Sequence, residues 1–232
     1  MGKDVIIALD FKNAAETMDF LEKFNKERPF VKIGMELFYA EGAPMVKRIK
    51  ERGHKIFLDL KLHDIPNTVK KAMTVLADLD ADMTNLHCAG TKEMMTAALE
   101  GLTKKDGTRS ILIGVTQLTS TSEERMKNEL LINAPMDEVV MKYAKNACEA
   151  GMDGVVCSPL EAQKVHEVCG KAFLTVTPGI RFADGDAGDQ VRITTPAKAK
   201  EIGSDYIVVG RPITEAEDPV EAYRKCVEDF VD

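Results

Sequence analysis

Residues 57–68 have the sequence FLDLKLHDIPNT, and this stretch contains the pattern that decides the fold. A short, largely apolar run is followed at once by charged residues, the turn pair Ile65-Pro66 and an amphipathic segment. Such a run, bounded by turn residues, predicts a strand, and the amphipathic segment predicts a helix. Since parallel strands need a crossover of about a dozen residues, a strand followed by a helix predicts one unit of a parallel sheet.

The same alternation recurs along the 232 residues. Strands are predicted at residues 5–10, 30–34, 55–61, 83–88, 111–117, 154–158, 172–177 and 206–210. Helices are predicted at residues 14–26, 43–52, 68–79, 92–102, 136–150, 159–169, 196–202 and 219–231. No linker or change of composition divides these units, so we expect a single α/β domain over residues 1–232.

Two architectures accommodate such units, a closed (β/α)8 barrel and an open doubly wound sheet. The residues at the predicted strand ends separate them. A barrel collects its chemistry at the carboxyl ends of all its strands, whereas an open sheet concentrates it at one switch point. Polar residues or glycine lie at nearly every predicted strand end, at Asp10, Lys32, Asp59, His87, Gln117, Ser158, Thr177 and Gly210. We therefore predict a (β/α)8 TIM barrel.

Composition excludes several classes of protein. The net charge of −7 disfavours a nucleic-acid-binding protein, because phosphate contacts supply most of the affinity of such proteins. The five cysteines have no Cys-x-x-Cys spacing, which indicates reduced thiols in the cytoplasm. The apolar run at residues 5–9 is too short for a secretory signal, and no run approaches the ~18 residues of a membrane span. We expect a cytoplasmic protein that binds neither nucleic acid nor membrane.

The charged residues of the opening stretch are candidates for catalysis. Asp59 and Lys61 are two apart, and alternate residues of a strand share a face. A surface ion pair worth about 1 kcal/mol or less is the simpler explanation for such a pair. However, this pair ends an apolar strand of the kind that is buried on both faces, and Lys32 ends the preceding strand in the same way. With Asp64 beyond the strand end, these residues favour a tuned active site.

Two segments near the end of the chain indicate a phosphate site. Residues 177–181 (TPGIR) follow the seventh predicted strand, and residues 210–212 (GRP) follow the eighth. Barrels often bind phosphate with the loops of these two units, where glycines let the backbone approach an anion and arginines offer paired donors. The Gly- and Asp-rich segment 182–190 is either a solvated loop or a lid, with Gln190 as its long neutral amide.

The chain resembles the orotidine 5′-phosphate decarboxylase family. The resemblance is carried by Asp59-x-Lys61-x-x-Asp64-Ile65-Pro66-Asn67-Thr68, with further matches along the whole chain at Asp10, Lys32, residues 117–120, 177–181 and 210–212. It implies a (β/α)8 barrel that acts as a homodimer with two sites at the interface. The implied reaction releases CO2 from orotidine 5′-monophosphate to give UMP, without metal or organic cofactor.

The resemblance also assigns roles to residues. It implies that Lys61 gives the proton to C6, that Asp59 lies against the substrate carboxylate, and that Lys32 bridges the charged groups and the ribose. Asp64 would enter from the partner chain. The implied substrate-binding residues are Asp10 for the ribose, Thr119 for the pyrimidine edge, Gln190, Gly210, Arg211 and Arg181 for the phosphate, and the motif residues Ile65, Thr68 and Pro178.

Two alternatives remain open at this point. A magnesium-dependent sugar-phosphate decarboxylase or synthase would use the same aspartates and lysine, although residues 65–68 (IPNT) favour the cofactor-free enzyme. A non-catalytic nucleotide sensor would gain nothing from crowded charges at its binding site. The four histidines lack metal-binding spacing and no Gly-x-Gly-x-x-Gly fingerprint is present, so neither a metal nor a nicotinamide cofactor is expected.

Overall fold

Eight parallel strands close into a barrel in the computed structural model, which describes residues 2–182 and 194–232. The strands follow one another around the barrel in chain order, and the last pairs with the first. Their bounds are β1 Asp4–Leu9, β2 Phe30–Ile33, β3 Ile56–Leu62, β4 Met83–His87, β5 Ile111–Val115, β6 Gly154–Val156, β7 Leu174–Thr177 and β8 Tyr206–Val209. The predicted (β/α)8 barrel is therefore confirmed, while a single domain over residues 1–232 stays a prediction.

Helices surround the strands. Their bounds are α1 Ala14–Glu22, α2 Met35–Glu51, α3 Pro66–Ala77, α4 Thr91–Leu102, α5 Glu123–Glu129, α6 Met136–Glu149, α7 Ala162–Cys169, α8 Pro196–Ile202, α9 Arg211–Thr214 and α10 Pro219–Phe230. Short 3-10 turns at Cys88–Gly90 and Pro159–Glu161 precede α4 and α7. In the part of the chain that the structure describes, no helix combines the length and apolarity that crossing a bilayer requires.

The helices differ most from the prediction in three places, and α1 also ends at Glu22 rather than at residue 26. α2 begins at Met35 rather than at residue 43, and it is interrupted at Gly42, whose φ is 66°. That kink, together with Pro44 inside the helix, breaks the apolar periodicity, so the first half of α2 has no clear helical pattern in the sequence. The short helices α5 and α9 were not predicted, because one or two turns carry too little periodicity to recognise.

Two layers of apolar side chains stabilise the barrel. Alternate residues of each strand face opposite sides, so Ile6 and Ala8 point into the barrel while Ile7 points outward to the helices. The inner cluster consists of Ile6, Ala8, Phe30, Phe57, Met83, Ile113, Val176 and Val208. These side chains fill the interior below the carboxyl ends of the strands. Polar residues at those ends therefore stand on an apolar base.

Candidate active site

A cavity of about 250 Å³ opens at the carboxyl end of the barrel. Its apolar lining comes from residues of five strands, Phe57, Val115, Val156, Val176 and Val208. Its charged wall is formed by Lys32, Asp59 and Lys61. The remaining rim is formed by Gln117, Leu118, Thr119, Ser120 and Pro178. An apolar pocket with a few convergent charged groups is the usual form of a small-molecule site.

Lys32 and Asp59 are both buried, with exposed fractions of 8% and 7%. The Lys32 ammonium lies 2.9 Å from an oxygen of Asp10 and 3.4 Å from Oδ2 of Asp59. A Cβ atom at Gly34 would lie 3.1 Å from both the Asp10 carboxylate and the Lys32 ammonium, so the glycine leaves room for this pair. The ends of β1, β2 and β3 thus join in one charged network.

Lys61 meets Asp59 from the other side, with its Nζ 2.6 Å from Oδ1 of the carboxylate. The two side chains converge as the sequence predicts, but β3 is not a regular strand between them. Its pairing with β4 shifts between Leu58 and Leu62, and Lys61 has a φ of 51°. A positive φ is rare and unfavourable for a residue with a side chain. The geometry of the pair therefore depends on a local distortion that strand alternation does not predict.

Asn85 on β4 belongs to the same network and was not a predicted site residue. Its side chain is fully buried and its amide nitrogen donates to Oδ1 of Asp59 at 2.7 Å. Its amide oxygen accepts a hydrogen bond from the backbone N–H of Lys61 at 2.8 Å. The feature of the sequence that could have identified Asn85 is its position in the middle of a buried parallel strand, because a buried polar side chain needs a specific hydrogen-bond partner.

The charges in the network support one another. Burial alone would raise the pKa of Asp59, but the ammonium groups of Lys32 and Lys61, with the hydrogen bonds from Lys61 and Asn85, hold that pKa below its usual value. Burial alone would lower the pKa of Lys32, but Asp59 and Asp10 together raise it. The Asp59 carboxylate and the Lys32 ammonium consequently remain charged at neutral pH.

A histidine pair lies beside this network. The rings of His63 and His87 have their centroids 5.7 Å apart. Burial lowers the pKa of His87, and the neighbouring His63 and Lys61 lower it further. His87 is therefore neutral at pH 7. Among the described residues, no three histidine, cysteine, aspartate or glutamate side chains are grouped so that they would hold a metal ion.

A second cavity, of about 460 Å³, adjoins the first and shares Lys32, Pro178 and Val208 with it. Its lining includes Asp10, Gly179, Arg181, Gly210 and Arg211, so the structure brings together the two segments predicted to bind phosphate. Gly179 has a φ of 82°, a conformation that favours glycine. Gln190, the remaining predicted phosphate ligand, lies outside the described residues.

Asp64, Ile65 and Thr68 line neither cavity. All three are exposed, and the apolar side chain of Ile65 is 66% accessible. Asp64 accepts a hydrogen bond from the backbone N–H of Ile65 at 2.6 Å. Within residues 2–182 and 194–232, no cationic side chain lies at salt-bridge distance from Asp64. These predicted site residues therefore do not reach the cavities of their own chain.

Comparison with known proteins identifies the family. The family model described as "Orotidine 5'-phosphate decarboxylase / HUMPS family" matches residues 3–226. The chain belongs to this family. Membership in the orotidine 5′-phosphate decarboxylase / HUMPS family confirms the resemblance that the sequence carries at residues 59–68.

Individual relatives agree with this membership. The chain is 60% identical over 227 residues to a Bacillus cytotoxicus protein named orotidine 5′-phosphate decarboxylase, covering 97% of this chain and 95% of the relative. A Bacillus mycoides protein of the same name is 59% identical with the same coverage. The crystal structure of orotidine 5′-phosphate decarboxylase from Lactobacillus acidophilus has a TM-score of 0.89 and 44% identity, covering 99% of this chain and all of that one.

An uncharacterized conserved protein from Geobacillus kaustophilus is also similar in structure, with a TM-score of 0.87, 48% identity and coverage of 97% of this chain and 99% of that one. These relatives match nearly the whole chain, and those with an assigned activity are named as decarboxylases. The expected enzyme class is thereby confirmed, in preference to a non-catalytic sensor.

The lowered pKa of Asp59 predicts how stability depends on pH. Because the folded-state pKa lies below the ordinary value of 3.8, ionised Asp59 stabilises the fold above that pH, and this contribution is lost as the pH falls through the folded-state pKa. Replacing Asp59 with asparagine removes the contribution. We expect the free energy of unfolding of the wild type to fall more steeply below pH 4 than that of Asp59→Asn, by at most about 1.4 kcal/mol per pH unit.

Urea unfolding at several pH values and one protein concentration measures these slopes. Equal slopes for the two proteins below pH 4 would contradict the charged environment assigned to Asp59.

Proposed function

We propose that this protein decarboxylates orotidine 5′-monophosphate to UMP in pyrimidine biosynthesis, and that it does so without a metal or organic cofactor. The observation that carries the proposal is the buried network of Lys32, Asp59 and Lys61 on the wall of a cavity that continues toward two arginines. The first cavity suits a flat pyrimidine and the second suits a phosphate, so their adjacency matches a nucleoside monophosphate. The decarboxylase names of the Bacillus relatives support the same reaction.

Lys61 is the proton donor in this proposal. The bond between C6 of the pyrimidine and its carboxylate breaks, CO2 leaves, and the electron pair stays at C6. The Lys61 ammonium transfers a proton to that carbon and forms the C–H bond of UMP, after which the neutral amine regains a proton from water. Since the charge at C6 is not delocalised into an enolate, a fixed cation at this position stabilises it directly.

Asp59 provides the opposing charge. Its lowered pKa keeps it anionic, and in the proposed complex it lies beside the substrate carboxylate. Two carboxylates at close range repel one another. Departure of CO2 relieves that repulsion because the negative charge passes to C6, where the proton from Lys61 neutralises it. Lys32, whose pKa is raised, remains a cation and holds Asp59 and Asp10 in place.

The rest of the substrate binds away from the reacting carbon. We assign Asp10 to the ribose hydroxyls and Thr119 to the edge of the base, with Pro178 in the wall that the two cavities share. The phosphate is assigned to Arg181, Gly210 and Arg211, together with Gln190. Binding energy from the phosphate then helps to position C6 against Lys61.

We also propose a homodimer in which each site takes a residue from the other chain. Asp64 follows Lys61 by three residues, about 10 Å of extended chain, and it lies beyond the end of β3. The exposed Asp64, Ile65 and Thr68 are placed on the surface near the mouth of the barrel, where a second chain would receive them.

We place the protein in the cytoplasm, with no nucleic-acid or membrane partner. Five cysteines without a disulfide and a net charge of −7 support this placement.

Lys61→Ala tests the proposed reaction. Loss of the orotate absorbance after addition of orotidine 5′-monophosphate, with a chelator present, reports turnover by the wild type. We expect the variant to show no measurable turnover, because the proton donor is missing, while its Kd for UMP changes by less than about tenfold, since phosphate and base contacts lie elsewhere. Lys164→Ala on α7, which removes a lysine from a surface ion pair, is the matched control and keeps full activity. Retention of most of the turnover by Lys61→Ala would exclude the assigned role.

Arg211→Ala tests the phosphate site. Loss of one charge-assisted contact to the phosphate weakens UMP binding by about 2 kcal/mol, roughly 30-fold. Uridine lacks the phosphate, so its affinity serves as the internal control and stays unchanged. Calorimetric titration of both ligands gives the two values. An equal effect on uridine and UMP would place the phosphate elsewhere.

Mixed dimers test the shared site. Lys61→Ala and Asp64→Asn are each inactive or strongly impaired, and they are mixed under conditions that let subunits exchange. In a mixed dimer, one site combines the intact Lys61 of one chain with the intact Asp64 of the other, so activity rises above that of either parent. Native mass spectrometry confirms that exchange has taken place. If activity does not rise in exchanged dimers, both residues serve the site of their own chain.

A further inference from the structure

The pairing of β3 with β4 contains an irregularity at the active site. From Leu58 to Leu62, β3 advances four residues while β4 advances only two, from 84 to 86. Residues 59–61 of β3 therefore face one residue of β4, Asn85. A bulge of this kind leaves backbone groups of the longer strand without their ladder partners and re-aims the side chains that it carries.

The backbone of Lys61 adopts a conformation that needs support. Its φ of 51° lies in the left-handed region, where a side chain crowds the backbone. Such conformations persist only where the surroundings enforce them. The Lys61 N–H donates to the side-chain oxygen of Asn85 at 2.8 Å, so a side chain on β4 supplies the partner that the bulge removed from the ladder.

The other end of the same amide holds the carboxylate. The Asn85 side-chain nitrogen donates to Oδ1 of Asp59 at 2.7 Å, and this is also the oxygen that accepts from the Lys61 ammonium at 2.6 Å. Asn85 is fully buried, so both bonds are made away from bulk water. One side chain thus contacts the backbone of the proton donor and the carboxylate of its partner.

We propose that Asn85 is a positioning residue that clamps the bulge and sets the Asp59–Lys61 geometry required for proton transfer. Its consequence for turnover rests on the proposed function, whereas the clamp itself is a property of the fold. The position requires an uncharged group that donates at one end and accepts at the other, which an amide provides. A carboxylate there would face Asp59 with a like charge. An alkyl group would leave the Lys61 N–H without its partner and Asp59 with one donor fewer.

Asn85→Ala is the first test. We expect kcat to fall by about 100-fold, because loss of the clamp displaces the proton donor, while KM and the Kd for UMP stay within about threefold of the wild type. Thr175→Val on β7 is the matched control, because it also removes a fully buried polar side chain. The Thr175 hydroxyl forms hydrogen bonds with Asp205 at the opposite end of the barrel from the cavity. This control loses stability and keeps kcat. An unchanged kcat in folded Asn85→Ala would overturn the proposal.

Asn85→Asp tests the proposal through the pH dependence of activity, which a mere loss of stability would not change. When protonated, the introduced carboxyl donates to Asp59 as the amide does, and when ionised it repels Asp59. The introduced carboxyl would contact Asp59 and Lys61 on β3, as Asn85 does. Lys32 on β2 acts on the same Asp59 carboxylate, and His87 on β4 interacts with both Asp59 and Lys61. The measured quantity is the ratio of the activity of Asn85→Asp to that of the wild type at each pH, because this ratio cancels the titrations that the two proteins share. We expect this ratio to increase as the pH falls. A flat activity ratio between pH 5 and 8 would contradict the role assigned to the donor end of the amide.

Crystal structures of Asn85→Ala and the wild type separate this proposal from the proposed reaction. In the structure of Asn85→Ala, we expect Lys61 to have a negative φ and its ammonium to lie away from Asp59. If the wild type fails to decarboxylate orotidine 5′-monophosphate but this change is seen, the reaction is wrong and the clamp stands. If Lys61 keeps both its positive φ and its contact with Asp59 in the variant, the clamp is wrong whatever the reaction.

Discussion

The Asp59 carboxylate lies buried between two ammonium groups, and the rest of the site depends on that arrangement. An isolated carboxylate at this depth would take up a proton rather than remain ionised. Lys32 and Lys61 prevent this from opposite sides, and Asn85 adds a neutral hydrogen bond. Lys32 in turn depends on its aspartates, because burial without them would lower its pKa. The four residues therefore act as one unit rather than as separate ion pairs.

A closed parallel barrel supplies the support that such a unit needs. Every strand ends at the same rim, so β1, β2, β3 and β4 each contribute one or more polar groups to the network without any long loop. The apolar side chains inside the barrel form a dry base below the charges. That base strengthens their mutual interaction by excluding water and holds the strand ends in fixed positions.

In the proposed reaction, catalysis and substrate anchoring use different parts of the barrel. The charged wall belongs to the first half of the barrel, whereas Gly179, Arg181, Gly210 and Arg211 come from the segments after β7 and β8. In the proposed reaction, a phosphate held by those segments fixes the substrate while the first strands act on C6. This division lets binding energy from an unreacting group be used to orient the reacting one.

Local patterns in the sequence were sufficient for the architecture and for the charged residues at the rim of the barrel. Short apolar runs, amphipathic segments and charged strand ends predict the barrel, and Asp59, Lys61 and Lys32 stand out as charges at the ends of apolar strands. These features depend on residues close together in the chain, where periodicity and steric preference act directly. The kink at Gly42 and the short helices α5 and α9 escaped prediction because they interrupt or barely repeat that periodicity.

The tertiary structure alone decided how the charges meet. Strand alternation explains why Asp59 and Lys61 face one way, but their contact depends on a bulge, a left-handed Lys61 and an amide from the next strand. Asn85 is 24 residues from Lys61 in the chain, and nothing in its local sequence specifies that partner. The sequence by itself determined which residues reach the rim. Which of them touch was decided only in three dimensions. Pairing of the neighbouring strands β1 to β4, with the bulge in β3, brings the charged groups within hydrogen-bond distance, and closure of the barrel brings the segments after β7 and β8 beside them.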